Sequence, residues 1–188
     1  MGANLITKAE YKAYADLKTP NHDAEIDALI PKVSEFVKTY CARGFVDYFD
    51  EAKIEYFNGG YGHFILKEWP VLSISSVEYS SDYGQTYTSI TEFVDWVHDD
   101  GYVVAVSPDG FKKQLRGYKV TYTAGYETLP EDLKLAVMDL VSYYRQNDAA
   151  VHSTKAPGTN SVQIEYISTT TLPAHIRRIL DMYRSDYT

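Results

Sequence analysis

The chain has 188 residues, 45% of them hydrophobic, which suits one ordinary domain with room for an inserted subdomain. Its formal net charge of −8 argues against a basic surface that wraps nucleic acid regardless of sequence. A single cysteine, Cys41, excludes a disulfide framework and a cysteine-based zinc site. No stretch approaches the roughly 18 apolar residues of a membrane span, and the opening MGANLITKAEYK has no signal-peptide core, so synthesis in the cytoplasm is expected.

Thr7 is placed to cap a short helix over Lys8–Leu17, with Tyr11 and Tyr14 on one side, and Lys18-Thr19-Pro20-Asn21 breaks it. A second helix is predicted over Asp23–Arg43. Ile26, Leu29, Ile30, Val33, Phe36, Val37, Tyr40 and Cys41 give it a broad apolar face at helical period. Asp23, Glu25 and Asp27 crowd its first turns and Lys38 and Arg43 its last, which complements the helix dipole, and Gly44 follows as a terminator. Pro31 conflicts with this pattern. An interior proline costs about 3 kcal/mol, so a kink or a break is expected there.

From Phe45 to Tyr126 the period changes to alternation. Strands are predicted over Lys53–Phe57, His63–Leu66, Ser73–Tyr79, Glu92–Val97, Tyr102–Ser107 and Gly117–Thr123. Asn58-Gly59-Gly60, Asp99-Asp100-Gly101 and Ser107-Pro108-Asp109-Gly110 have turn chemistry, and Glu68-Trp69-Pro70 marks a corner. With no crossover helix between them, these strands predict an antiparallel sheet or a small barrel-like insertion. Gly125 lets the chain turn out of the last strand. Thr128 and Glu131 have capping-box spacing, and Pro130 suits a first helical position. Leu133, Val137, Leu140, Val141 and Tyr144 then mark the buried face of a core helix reaching Asn147. Residues 147–161 are small and polar, with Pro157-Gly158, and predict a mobile loop; Val162–Ile167 alternates as one more strand. Thr171 and Pro173 introduce a last helix over Leu172–Ser185. Its apolar face is Ile176, Ile179, Leu180 and Tyr183, and Arg177, Arg178 and Arg184 lie around it. The fold class expected is α+β: a helical bundle core from 1–44 and 127–188, a β-rich insertion over 45–126, and a C-terminal helix.

Catalytic chemistry finds no anchor. His22, His63, His98, His152 and His175 share no metal-ligand spacing, and there is no nucleophile elbow or Walker loop. Asn58-Gly59-Gly60-Tyr61-Gly62 reads as a hairpin turn, and Asp95, Asp99 and Asp100 miss the calcium-loop pattern because Trp96 and His98 interrupt it. Glu131 and Asp132 read as ordinary helix-start acids. No catalytic residue, metal or cofactor is therefore nominated. Eighteen tyrosines against seven phenylalanines fit protein interfaces, or equally a β region with hydroxyls in solvent. One reading of them is a module that binds glycan or another ligand, with Trp69, Trp96 and nearby tyrosines on one exposed face. The last helix can dock into a groove on another protein or pack back on its own domain, and amphipathicity alone leans to the second.

The segments ITKAEYKAYADLKTPNHDAEIDALIPKVSEFVKTYCARGF, EWPVLSISSVEY, KVTYTAGYETLPEDLKLAVMDLVSYYR and LPAHIRRILDMYR follow in order over nearly the whole chain. Together they resemble the head–tail connector (head-completion, or adaptor) proteins of tailed bacteriophages. The most distinctive part is Tyr122-Thr123-Ala124-Gly125-Tyr126 leading through Pro130-Glu131-Asp132-Leu133. The resemblance implies a structural virion subunit that assembles as a homo-oligomeric ring, a dodecamer, beneath the portal protein. The ring would extend a channel through which DNA passes without sequence-specific binding, and would carry the stopper or tail protein. It implies that Leu172–Tyr187 docks on the portal, with Leu172, Ile176, Ile179, Leu180 and Tyr183 as apolar contacts and Arg177 and Arg184 pairing with acids. The large β region departs from the mostly helical members of that family, so its contacts carry over least.

Overall fold

The computed structural model describes residues 2–146, 151–155, 162–166 and 172–185, and the fold is α+β. The chain divides into two compact units, one holding Ala42–Leu129 and the other Asn4–Cys41 with Pro130–Arg184.

The second unit is helical. α1 (Lys8–Tyr14) starts at a reciprocal cap. The Thr7 hydroxyl accepts the Glu10 N–H at 3.2 Å, and the Glu10 carboxylate accepts the Thr7 N–H at 2.7 Å. A 3₁₀ turn over Pro20–His22 leads into α2 (Asp23–Cys41), which runs through Pro31 unbroken. The expected break does not occur because Ile26, Ile30, Val33, Val37 and Cys41 are buried on both sides of the proline. Each such side chain contributes about 1.5–3 kcal/mol, together well above the cost of one lost hydrogen bond. α3 (Glu131–Gln146) buries Leu133, Ala136, Val137, Leu140 and Val141 completely. Tyr144, expected on that face, is exposed; Ala136, too small to stand out in the pattern, is buried instead. The helix begins at Glu131, with the Pro130 carbonyl accepting the Lys134 N–H at 2.8 Å. Pro130 is thus at the cap position and Thr128 lies outside it. β8 (Val151–Lys155) pairs antiparallel with β9 (Val162–Tyr166), Val151 opposite Tyr166 and Lys155 opposite Val162. A strand therefore occupies 151–155 where the composition suggests a mobile loop; the rest of that loop and the Thr171 cap lie outside the described residues. α4 (Ala174–Met182) closes the unit. α2 packs on α1, α3 and α4, and α3 on α4.

The first unit holds two antiparallel sheets. One has the order β1 (Lys53–Phe57), β7 (Tyr118–Ala124), β3 (Val71–Tyr79), β4 (Thr88–Ser89). The other has the order β2 (His63–Ile65), β6 (Tyr102–Ala105), β5 (Trp96–Asp99). β7 alternates strictly: Tyr118, Val120, Tyr122 and Ala124 are buried and Lys119, Thr121 and Thr123 are not. Its buried side shares one core with Phe64, Val77, Trp96, Val103 and Phe111. Phe64 stacks on Phe111 at 4.1 Å and meets Tyr118 at 5.1 Å, so the two sheets face each other across aromatic rings. The expected strand over Glu92–Val97 begins only at Trp96. The Asp95 carboxylate accepts the Thr91 N–H at 2.8 Å, and the Asp95 N–H bonds the Thr91 carbonyl at the same distance, which folds 91–95 into a turn. At Gly125 φ is +106° and a Cβ would stand 2.0 Å from the Phe45 carbonyl oxygen, so only glycine fits the exit from β7.

Candidate functional site

The two surfaces the sequence nominates are the last helix and the tyrosine-rich sheets. α4 places Ile176 and Leu180, four residues apart, on its inner side, where both are fully buried. Three polar clamps hold the helix. The Tyr40 hydroxyl donates to Asp181 at 2.6 Å, the Tyr183 hydroxyl donates to Asp132 at 2.6 Å, and His175 stands 3.8 Å from Asp139. The hydrogen bond to Asp181 pushes the Tyr40 phenol up from its ordinary pKa. The same Asp139 accepts from Tyr14, whose phenol is likewise raised. The helix therefore packs back on α2 and α3. Of the nominated docking residues, Ile176 and Leu180 belong to the core of the helical unit. Leu172, Ile179 and Tyr183 are half-buried, and Arg177 and Arg184 are exposed together with Arg178 and Met182. The outward side is cationic, in a chain that is acidic overall.

In the β-rich unit the tyrosines divide between core and surface. Tyr118 and Tyr122 are buried, while Tyr56, Tyr61, Tyr83 and Tyr102 are exposed. Trp96 is only 4% exposed and donates its indole N–H to the Ile90 carbonyl at 3.4 Å, whereas Trp69 is 42% exposed. The two tryptophans do not share an exposed face, and the saccharide platform expected from them is absent. The reason is that the large Trp96 ring joins the core beside Phe64, Val103 and Phe111, where its burial removes apolar surface from water. Sequence reasoning passed over a polar cluster at Lys53. Its ammonium lies 2.7 Å from Glu68 and 3.1 Å from Glu55, both carboxylates nearly buried. Glu68 also accepts the Gly44 N–H at 2.7 Å, and its own N–H donates to the Tyr122 hydroxyl at 3.1 Å. The signal was available as a charged pair at alternate positions of a strand, Lys53 and Glu55, on the same side as the buried Tyr122 with which Lys53 is in register. It is a structural cluster, in which one lysine balances two nearly buried carboxylates.

The outer side of the four-stranded sheet is aromatic and cationic. Arg116 lies 4.7 Å over the Tyr56 ring, Lys119 lies 5.3 Å over Tyr87, and Tyr56 and Tyr87 meet at 5.9 Å. Among the described residues no group of three or more His, Cys, Asp or Glu is placed to hold a metal, and no helix is long and apolar enough to cross a membrane. His22 pairs with Glu25, His63 packs edge-on to Tyr102, and His98 accepts the Gly101 N–H.

The architecture recurs in solved particles. A chain in the "Neck of empty GTA particle computed with C6 symmetry" aligns with 98% of this chain and 91% of its own length, at 17% identity and TM-score 0.60. A chain in the "Virion of native gene transfer agent (GTA) particle" aligns with 98% and 91%, at 16% identity and TM-score 0.61. A third, in the "Neck of native GTA particle computed with C12 symmetry", aligns with 100% and 97%, at 17% identity and TM-score 0.59. No curated protein sequence matches the chain. The family model described as "Head completion protein" matches residues 4–185, which span the helical unit, the β-rich unit and α4. The chain belongs to the head completion protein family.

Proposed function

We propose that this head completion protein is a connector subunit at the head–tail interface of a tailed-phage virion. Copies close into a ring beneath the portal, prolong the DNA channel, and form the platform for the stopper or tail protein. The observation that carries the reading is the family match over residues 4–185, joined to a fold shared with chains of particle necks over nearly the whole length. The matched necks, computed with C12 and with C6 symmetry, support a cyclic ring, and the reading takes twelve copies. A net charge of −8 suits a channel along which DNA slides without sticking. The role is structural, with no turnover.

The segment Leu172–Tyr187 docks on the portal. Since Ile176 and Leu180 hold α4 in the helical unit, the contact uses the outward Arg177, Arg178 and Arg184, with Met182 beside them and the half-buried Leu172, Ile179 and Tyr183 at its edge. Electron microscopy of the chain mixed with portal rings tests this. The expected result is a second ring under the portal; a portal that stays bare overturns it. Deletion after Thr171 is expected to abolish docking, but it also uncovers the core that Ile176 and Leu180 seal. Reversing the charges with Arg177→Glu, Arg178→Glu and Arg184→Glu leaves that core intact and is expected to weaken docking steeply at low salt. Undiminished docking of that triple variant refutes the α4 contact.

A further inference from the structure

We propose that the β-rich unit carries a self-forming covalent staple, in which the Lys53 ammonium and the Glu68 carboxylate condense to an amide with Glu55 as the proton carrier. The inference concerns the folded subunit by itself and does not depend on how copies assemble.

The cluster brings together the three groups that such a condensation needs. Lys53 Nζ lies 2.7 Å from Glu68 Oε1 and 3.1 Å from Glu55 Oε1. The amine is thus held against its acceptor at contact distance, and no bimolecular encounter is required. Side-chain exposure is 6% at Glu68 and 9% at Glu55, so little water reaches the carboxyl carbon. The Tyr48 ring, 4.8 Å from the ammonium, and the fully buried Tyr122 wall the cluster. The second oxygen of Glu68 accepts the Gly44 N–H at 2.7 Å. A backbone N–H so aimed draws electron density from the carboxyl carbon and stabilises the negative charge that grows on that oxygen under attack.

Glu55 is surplus as a counter-ion. One lysine needs one carboxylate, and taking a second out of water is costly. Its Oε2 accepts the Lys67 N–H at 3.2 Å, while its Oε1 faces the lysine and has no hydrogen-bond partner among the described residues. A carboxylate with a free lone pair directed at the proton to be moved is placed as a general base. The two acids therefore differ in environment and in role: Glu68 is polarised for attack and Glu55 is free to carry a proton.

The step balances within the chain. The ammonium gives one proton to Glu55, and the nitrogen lone pair attacks Glu68 Cδ. Charge develops on Oε2, at the Gly44 N–H. Oε1 then takes the proton from Glu55 and a second one from the nitrogen, and leaves as water. One ammonium and one carboxylate become one amide and one water, with no oxidant and no cofactor. Glu55 returns to the carboxylate and accepts the new amide N–H. Burial is the largest influence on the Lys53 proton and acts against the charge; the carboxylates outweigh it only while they are ionised. Reaction therefore waits on the small fraction in which Glu55 holds the proton, and closure is slow beside folding. The ion pair is the folded chain before closure, and Lys53 titrates only in that state.

The bond joins β1, in the four-stranded sheet, to the crossover that leads from β2 in the other sheet to β3. It closes a loop over residues 53–68 and restricts the unfolded chain, as a disulfide does in proteins that have two cysteines to spare.

The test is the denatured intact mass of the full purified chain, repeated over days after refolding. The expected mass is one water below that of the sequence, and a tryptic digest is expected to leave Lys53 uncut and joined to Glu68. Full mass throughout overturns the proposal, and so does a water lost between any other pair. Glu55→Gln keeps the ion pair of Lys53 with Glu68 but is expected to close about a hundredfold more slowly; closure at the parent's rate overturns the proposal. Lys53→Arg keeps the charge without the nucleophile and is expected to stay at full mass. Glu68→Gln is expected to lose ammonia in place of water, and a Glu68→Gln chain that still loses water overturns the assignment of the acceptor. If Glu55→Gln does not fold, the parent's digest decides by itself.

Discussion

Lys53 lies between two nearly buried carboxylates, Glu55 and Glu68, and removing it leaves both uncompensated. Lys53→Met is expected to cost about 3–5 kcal/mol, read by denaturant unfolding of the chain. The pH dependence follows from the same cluster. Burial alone would depress the lysine, but the bonds and charges of Glu68 and Glu55 outweigh it and raise its pKa above 10.5. Tyr122 is pushed up from 10.0, by burial first. Both groups hold their proton more tightly folded than unfolded. Their contribution is whole below about pH 10 and is lost as pH rises through the raised values. The melting temperature should therefore fall steeply above pH 10, and less steeply in Tyr122→Phe. In the helical unit Val137 is fully buried, and Val137→Asp places an unpaired carboxylate there. Loss of the cooperative melt by circular dichroism is the expected result. A variant that melts like the parent would show that this face of α3 is not the core.

At the scale of elements, α4 shows how one amphipathic pattern serves two sides. Its inner residues Ile176 and Leu180 seal the seam of α2 and α3, and the Cys41 thiol reaches the Leu180 carbonyl across a sequence separation of 139 residues. Leu180→Ala is expected to cost about 2–5 kcal/mol through the cavity it leaves. It should also speed proteolysis within 172–185, because the polar clamps at Asp181 and Asp132 are mostly exposed and contribute little without the packing. Intact resistance to protease would mean that the clamps, and not the apolar side, hold the helix. α2 makes the related point about local propensity: Pro31 is unfavourable in a helix interior, yet burial on either side keeps the element whole.

At the scale of the molecule, the purified chain is expected to be monomeric and to form its ring only on the portal. A subunit interface that loses side-chain and loop freedom on assembly is weak between two copies, and it becomes strong when a template holds many copies at high local concentration. Mass photometry of the chain alone and with portal rings reads this directly; a closed ring formed by the chain alone would sink it.

Much of the secondary structure was legible in the residues themselves. The strand over Lys53–Phe57 and the α+β class follow from alternation and helical period, and Thr7 with Glu10 marks a cap that local chemistry alone can close. The resemblance to head-completion proteins lay in the order of these segments. Several features were not legible. β4 spans two residues and has no period to read, and β8 is recognisable only through its pairing with β9. The inward turn of Trp96, the exposure of Tyr144 and the ion cluster at Lys53 depend on partners brought close by the fold. An amphipathic pattern states that a helix has an adhesive side and leaves open whose surface will meet it. For α4 the tertiary structure decided, because burying Ile176 and Leu180 against α2 and α3 removes more apolar surface from water than leaving them free.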